Sequence, residues 1–201
     1  MTRDASTGRT AAVVLVVFAV IPAAGCSHAA VPASRPTVSP SAGPWSDVFV
    51  ESLEGASSYE RSILADGVVT PAELAEAQSK KRACLRAAGY RWDIEEDGTS
   101  SLDPLTAGAK PSTEVMTAAY QACSRRFDRS VTYLFDEVRR NPERRDEAEI
   151  MVACLRKVGL VGSDYSERQW RQDDDAGQYP FGNLDPRFVQ CRLDPLDLWR
   201  K

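Results

Sequence analysis

Apolar residues recur along this chain at the three- and four-residue spacing of an α-helix, in blocks separated by polar, turn-forming stretches. Phe49, Leu53 and Ala56 form one stripe, with Ser46 as its cap and Gly55 as a break; Tyr59 and Ile63 resume it before an Asp66-Gly67 turn. Thr70-Pro71-Ala72-Glu73 is a strong helix start, in which Thr70 caps, Pro71 takes the first helical position and Glu73 completes a capping box. This helix carries Leu74, Ala77, Cys84, Leu85 and Ala88 inward and ends at Gly89, a residue suited to the left-handed position after a helix. Residues 91–111 are polar and rich in turn residues, so they predict a loop. A helix from Ser112 or Thr113 carries Met116, Ala119, Tyr120, Cys123 and Phe127, bends near Asp128, continues through Val131, Leu134, Phe135 and Val138, and stops at Asn141-Pro142. Asp146 and Glu149 open the next, with Ile150, Met151, Cys154, Leu155 and Val158 inward and Gly159 at its end. Ser166 caps a short helix through Trp170, Asp173-Asp174-Asp175 opens a loop, and Asp185-Pro186 starts a last short helix carrying Phe188 and Cys191. No segment alternates with period two over strand length. The pattern predicts an all-α domain of about six helices.

One stretch of this pattern occurs twice. Ala83-Cys84-Leu85-Arg86 returns as Ala153-Cys154-Leu155-Arg156, each followed by a Gly (Gly89, Gly159) and an apolar residue (Tyr90, Leu160). A further cysteine follows each copy at a similar distance, Cys123 and Cys191. The domain, 46–201, therefore reads as two related units, about 46–140 and 141–201. Four cysteines allow three pairings. The repeat favours Cys84–Cys123 and Cys154–Cys191, which makes this a disulfide-stapled helical domain.

The first 45 residues follow a different pattern. Arg3 and Arg9 precede an apolar run from Ala11 to Ile21, too short to span a bilayer and suited to a signal-peptide core. Ala23-Ala24-Gly25-Cys26 comes next, and small residues ending in Gly-Cys after such a run resemble the lipobox of bacterial lipoproteins. Ala23 stands where that family usually has Leu. The resemblance implies that residues 1–25 are a signal peptide and that Cys26 is acylated on its sulfur, anchoring the chain to the outer face of the cytoplasmic membrane. Two or more acyl chains are needed for stable retention, since each buried methylene contributes only about 0.8 kcal/mol. Residues 26–45, with four prolines among Ser and Ala, read as a lipid-anchored flexible linker holding the domain off the membrane. An exported location is also where four remaining cysteines form disulfides.

Composition is that of an ordinary globular domain, and the net charge of −4 gives no basic stripe for nucleic acid. The single histidine, His28, falls in the linker, so no His-dependent triad or His-containing metal site belongs to the domain. Asp66 to Glu73 has the back half of an EF-hand loop and Asp93 to Gly98 the front half, but neither supplies the six to eight oxygens that calcium takes. No two of the four domain cysteines have the close spacing of a zinc site. Glu95-Glu96-Asp97 and Asp173-Asp174-Asp175 are the carboxylates available to a hydrolase acting on cell-wall sugars, and they read more simply as solvated acidic turns. Trp92, Trp170 and Trp199 either seal the core or line a cleft.

A broader resemblance rests on Leu64 to Glu73, on Cys84-Leu85-Arg86-Ala87-Ala88-Gly89-Tyr90 and on Ala122-Cys123. The chain is similar in these to uncharacterised lipid-anchored exported proteins (lipoproteins) of high-GC Gram-positive bacteria, which pair such a helix end with a later helical cysteine. That likeness implies a disulfide pattern and an address, and no reaction. The reading is a membrane-anchored lipoprotein with an interaction or envelope-structural role and an envelope protein or cell-wall partner. It assigns no catalytic residue, cofactor or metal. Its alternatives are a cell-envelope hydrolase using loop carboxylates and a small-ligand or metal carrier.

Overall fold

In the computed structural model, residues 40–95 and 98–200 are described. The expected signal segment, Cys26 and the linker as far as residue 39 lie outside these residues, as do Glu96 and Asp97. The described residues belong to one compact unit. Its described part holds eight α-helices and one two-stranded sheet: α1 (Ser46–Glu54), α2 (Ser58–Leu64), α3 (Pro71–Ala87), β1 (Tyr90–Ile94), β2 (Ser100–Pro104), α4 (Thr113–Phe127), α5 (Val131–Arg140), α6 (Glu147–Lys157), α7 (Glu167–Ala176) and α8 (Pro186–Leu193). The domain is mainly helical rather than all-α, and the expectation of about six helices is too low.

The hairpin corrects the reading of 91–111 as a loop. β1 and β2 are antiparallel, with Trp92 opposite Leu102. Tyr90 and Trp92 are buried while Arg91 and Asp93 are exposed, which is a period-two pattern. It is only two turns of alternation long, and its partner strand is polar, so it carries little sequence signal.

The helix starts follow local chemistry. Ser57 with Glu60 and Thr70 with Glu73 form reciprocal capping boxes, each side chain meeting the other's backbone N–H. At Asp146 the box is one-sided: its carboxylate accepts from Glu149 N, while Glu149 pairs with Arg145. The cap position of α1 is Trp45, and Ser46 is the first helical residue. Trp45, expected at the end of the linker, is 6 % exposed and donates from Nε1 to Asn141 O at 2.9 Å, so it belongs to the core. The expected bend at Asp128 is a full break between α4 and α5. The buried carboxylate of Glu60 closes that break by accepting from Arg129 N at 2.7 Å and Ser130 N at 2.9 Å, satisfying donors at the start of α5. Asp173, Asp174 and Asp175 lie in the last turns of α7, not in a loop, and the helix runs on to Gly177 at φ +62°.

Three apolar clusters fill the interior. Phe49, Leu53, Ile63, Leu64, Val131 and Leu134 form one; Leu85, Tyr90, Trp92 and Cys123 form a second; residues of α6, α7 and α8 around Leu155, Trp170 and Phe188 form the third. Disulfides join Cys84 to Cys123, α3 to α4, and Cys154 to Cys191, α6 to α8. Each closes a loop of nearly forty residues (separations 39 and 37). Such a closure contributes about 4 kcal/mol on the chain-entropy argument. Arg140 ties α5 to α6 and α8, donating from Nε to Arg192 O at 2.9 Å and from Nη2 to Glu147 at 2.7 Å.

Candidate functional site

Ala77, Lys81 and Leu85 are four residues apart on α3 and so share its buried face. Lys81 is 3 % exposed. Its Nζ donates to Tyr120 Oη at 3.0 Å and to Asp128 Oδ2 at 3.2 Å. It also lies 4.2 Å from the ring centres of both Trp92 and Tyr120. Asp128 caps the end of α4, and its other oxygen accepts from Thr132 N at 3.1 Å and Thr132 Oγ1 at 2.7 Å. Hydrogen-bond acceptors and ring faces thus meet the ammonium from β1, from α4 and from the break after it. Removing two charges from water is costly, and a buried ion pair is on average no more stable than well-packed apolar residues of the same volume. Stability alone is therefore a weak reason for this trio.

The trio lies on the wall of a cleft of about 620 Å³, within the range of small-molecule sites. Trp92, Arg139 and Trp199 line it too. The Arg139 guanidinium is stacked 3.6 Å from the Trp199 ring centre and pairs through Nη2 with Asp136 at 2.9 Å. Trp92 Nε1, Arg139 Nε and Trp199 Nε1 are buried and have no hydrogen-bond partner. An unpaired buried donor costs about 1–3 kcal/mol, and three of them on one cleft wall is unusual for a folded protein. Burial pushes the Asp136 carboxyl above its ordinary value, with the Arg139 charge opposing it. The chain end beside the cleft is fixed by Asp194, which accepts from the backbone N–H of Leu198, Trp199 and Arg200 at 2.7, 2.9 and 2.7 Å. Burial pushes Asp194 up, but those three donors and Arg139 outweigh it and hold its carboxyl below the ordinary range.

The second disulfide-closed stretch builds the matching place from other residues. Three positions before the first cysteine, Lys81 has its counterpart in Met151, which is 2 % exposed; three before the second, Tyr120 has its counterpart in Phe188. The backbone of the helix end, from cysteine to glycine, is repeated in detail. Leu85 and Leu155 are both fully buried, Ala88 N and Val158 N both donate back to the cysteine carbonyl, and Gly89 and Gly159 both have positive φ, +91° and +69°. A buried methionine packed with a phenylalanine serves the second stretch where the first has a lysine bonded to a tyrosine.

Elsewhere the structure separates residues that the sequence grouped as possible chemistry. Asp173 accepts from Tyr165 Oη at 2.8 Å and from Gln169 at 2.7 Å. Asp174 pairs with the Tyr179 hydroxyl, which burial pushes up to about 12 with help from that carboxylate. Both acids are thus committed to structural bonds. Glu95 is exposed, and Glu96 and Asp97 lie outside the described residues. Glu73 is used by the Thr70 cap and Asp66 by Val68 N. Among the described residues no three Asp, Glu, Cys or His side chains come together as a metal site, and no helix is long and apolar enough to cross a membrane. Trp92 and Trp170 are core residues that also line clefts; Trp170 belongs to a second one, of about 530 Å³, lined from α1, α5, α6, α7 and α8. Lys81, Tyr120 and Asp128 were not singled out by the sequence as a site. The available signal was Lys81 itself, a charge on the apolar stripe of α3 where the repeat has methionine. The chain matches no family model, no curated protein and no solved structure.

Proposed function

We propose that this chain is an extracytoplasmic lipoprotein, held by acyl groups on Cys26 to the outer face of the cytoplasmic membrane, with residues 27–45 largely a spacer and the helical domain as a non-catalytic binding or envelope-structural module. The observation that carries the reading is the pairing of all four domain cysteines as disulfides, a state that persists in oxidising compartments outside the cytosol. It agrees with the order of basic, apolar and Gly-Cys segments at the N-terminus. Fractionation of cells producing the full chain and Cys26→Ala tests it. The parent is expected in the membrane fraction and the variant outside it; a Cys26→Ala protein that stays with the membrane contradicts the anchor. Intact mass is expected to show no free thiol in the exported protein.

We also read the two disulfide-closed stretches, about 46–140 and 141–201, as two versions of one unit, on the likeness of their helix ends. Within the non-catalytic reading, a small-ligand carrier is favoured over a purely structural protein by the Lys81 cleft. The hydrolase alternative has less support, because Asp173 and Asp174 are already bonded within α7 and to the residues packed on it.

A further inference from the structure

We propose that the cleft beside Lys81 binds a small ligand that carries an oxyanion, carboxylate or phosphate, on a body with a flat apolar face. Three observations converge on that chemistry. The unpartnered groups on its wall, Trp92 Nε1, Arg139 Nε and Trp199 Nε1, are all N–H donors. Indole and guanidinium nitrogens donate and never accept, so only a guest rich in acceptors completes them. One of the three donors is a guanidinium, and a charged donor bonds an oxyanion more strongly than a neutral oxygen. The rings of Trp92, Tyr120 and Trp199 provide the apolar surface. The buried Lys81–Asp128 pair, neutral overall, packs against Trp92 and Tyr120 and fixes them in the wall. The matching place in the second stretch has Met151 and Phe188, so the fold does not require the polar set.

This proposal deepens the small-ligand reading and rests on it, while the site is independent of the membrane anchor, so the two fail separately. The test is calorimetric titration of the full chain in detergent with benzoate and with phenyl phosphate, using benzyl alcohol as the neutral analogue. Both anions, or one of them, are expected to bind saturably while benzyl alcohol does not, and the tighter of the two identifies the source as carboxylate or phosphate. Trp92→Phe keeps the ring and removes the N–H, and is expected to weaken binding about tenfold or more. Trp170→Phe, in the other cleft, is expected to change nothing. Unfolding curves for both variants show that each is folded. No binding of either anion at millimolar concentration overturns the proposal, as does equal binding of benzyl alcohol or an unchanged affinity in folded Trp92→Phe.

Discussion

The two disulfide-closed stretches of this protein share a helix end and differ in what they bury beside it. Each has a cysteine and a fully buried leucine on the last turns of a helix, a glycine with positive φ just beyond, and a second cysteine nearly forty residues on. In the C-terminal stretch the space next to this clasp holds Met151 and Phe188, in the N-terminal stretch Lys81 and Tyr120, with Asp128 completing the set. The second version shows that the same clasp forms around an apolar pair, with the Arg140 guanidinium beside Met151. The polar version incurs the desolvation of an ion pair and leaves three donors on the adjoining cleft wall unpaired, where the cleft beside the apolar version has one, Trp170 Nε1. A clasp repeated with its polar residues exchanged for apolar ones separates what the fold needs from what one site uses.

The most drastic way to break the comparison is to open both clasps. Two closures of about 4 kcal/mol each are comparable to the whole stability of a domain, about 5–15 kcal/mol. The fully reduced chain is expected to lose its cooperative thermal transition near 37 °C, read by circular dichroism. Next in size is Lys81→Met alone. It leaves Asp128 buried without its cation and is expected to destabilise by about 3–5 kcal/mol in urea unfolding. Met151→Lys, the reverse exchange, is expected to cost a similar amount, since Arg140 Nη2 lies 3.7 Å from Met151 Sδ and repels a second cation.

Asp194→Asn is a smaller perturbation, about 1–3 kcal/mol at neutral pH, because a charged acceptor of three backbone donors becomes a neutral one. Its pH dependence has a definite sign. The folded carboxyl titrates below its ordinary value, so its contribution is fully present above about pH 4 and is lost as pH falls through the depressed folded pKa. The gap between parent and variant melts is expected to close in that acid window; a constant gap contradicts the assignment. Smallest of all is Lys157→Ala, which removes an exposed pair with Asp197 and is expected to change stability by less than about 1 kcal/mol.

Much of this architecture was legible before the structure because local chemistry dictates it. Thr70, Ser112, Asp146, Ser166 and Asp185 all cap helices, and Gly89 and Gly159 take the left-handed position after α3 and α6. The disulfide partners follow from the repeat of a cysteine and its distance to the next. The hairpin was not legible, because the burial of Tyr90 and Trp92 is set by α3 and α4 packing on one face. The extension of α7 through three aspartates was missed for a related reason. Acids at a helix end oppose its dipole, and here Tyr165, Gln169 and Tyr179 bond two of them. The cleft was hidden more deeply. Lys81, Trp92, Tyr120, Asp128 and Trp199 are far apart in the chain, and only tertiary packing brings them to one wall.

The central claim is that the Lys81, Tyr120 and Asp128 set is not needed to hold the fold. Urea unfolding of the triple variant Lys81→Met/Tyr120→Phe/Asp128→Asn tests it most directly. That variant gives the first clasp the apolar pair of the second, while the amide that replaces the Asp128 carboxylate keeps an acceptor for Thr132. The predicted result is an unfolding midpoint equal to or above that of the parent. A midpoint lowered as far as that of Lys81→Met alone would contradict the account and make the buried lysine a structural residue.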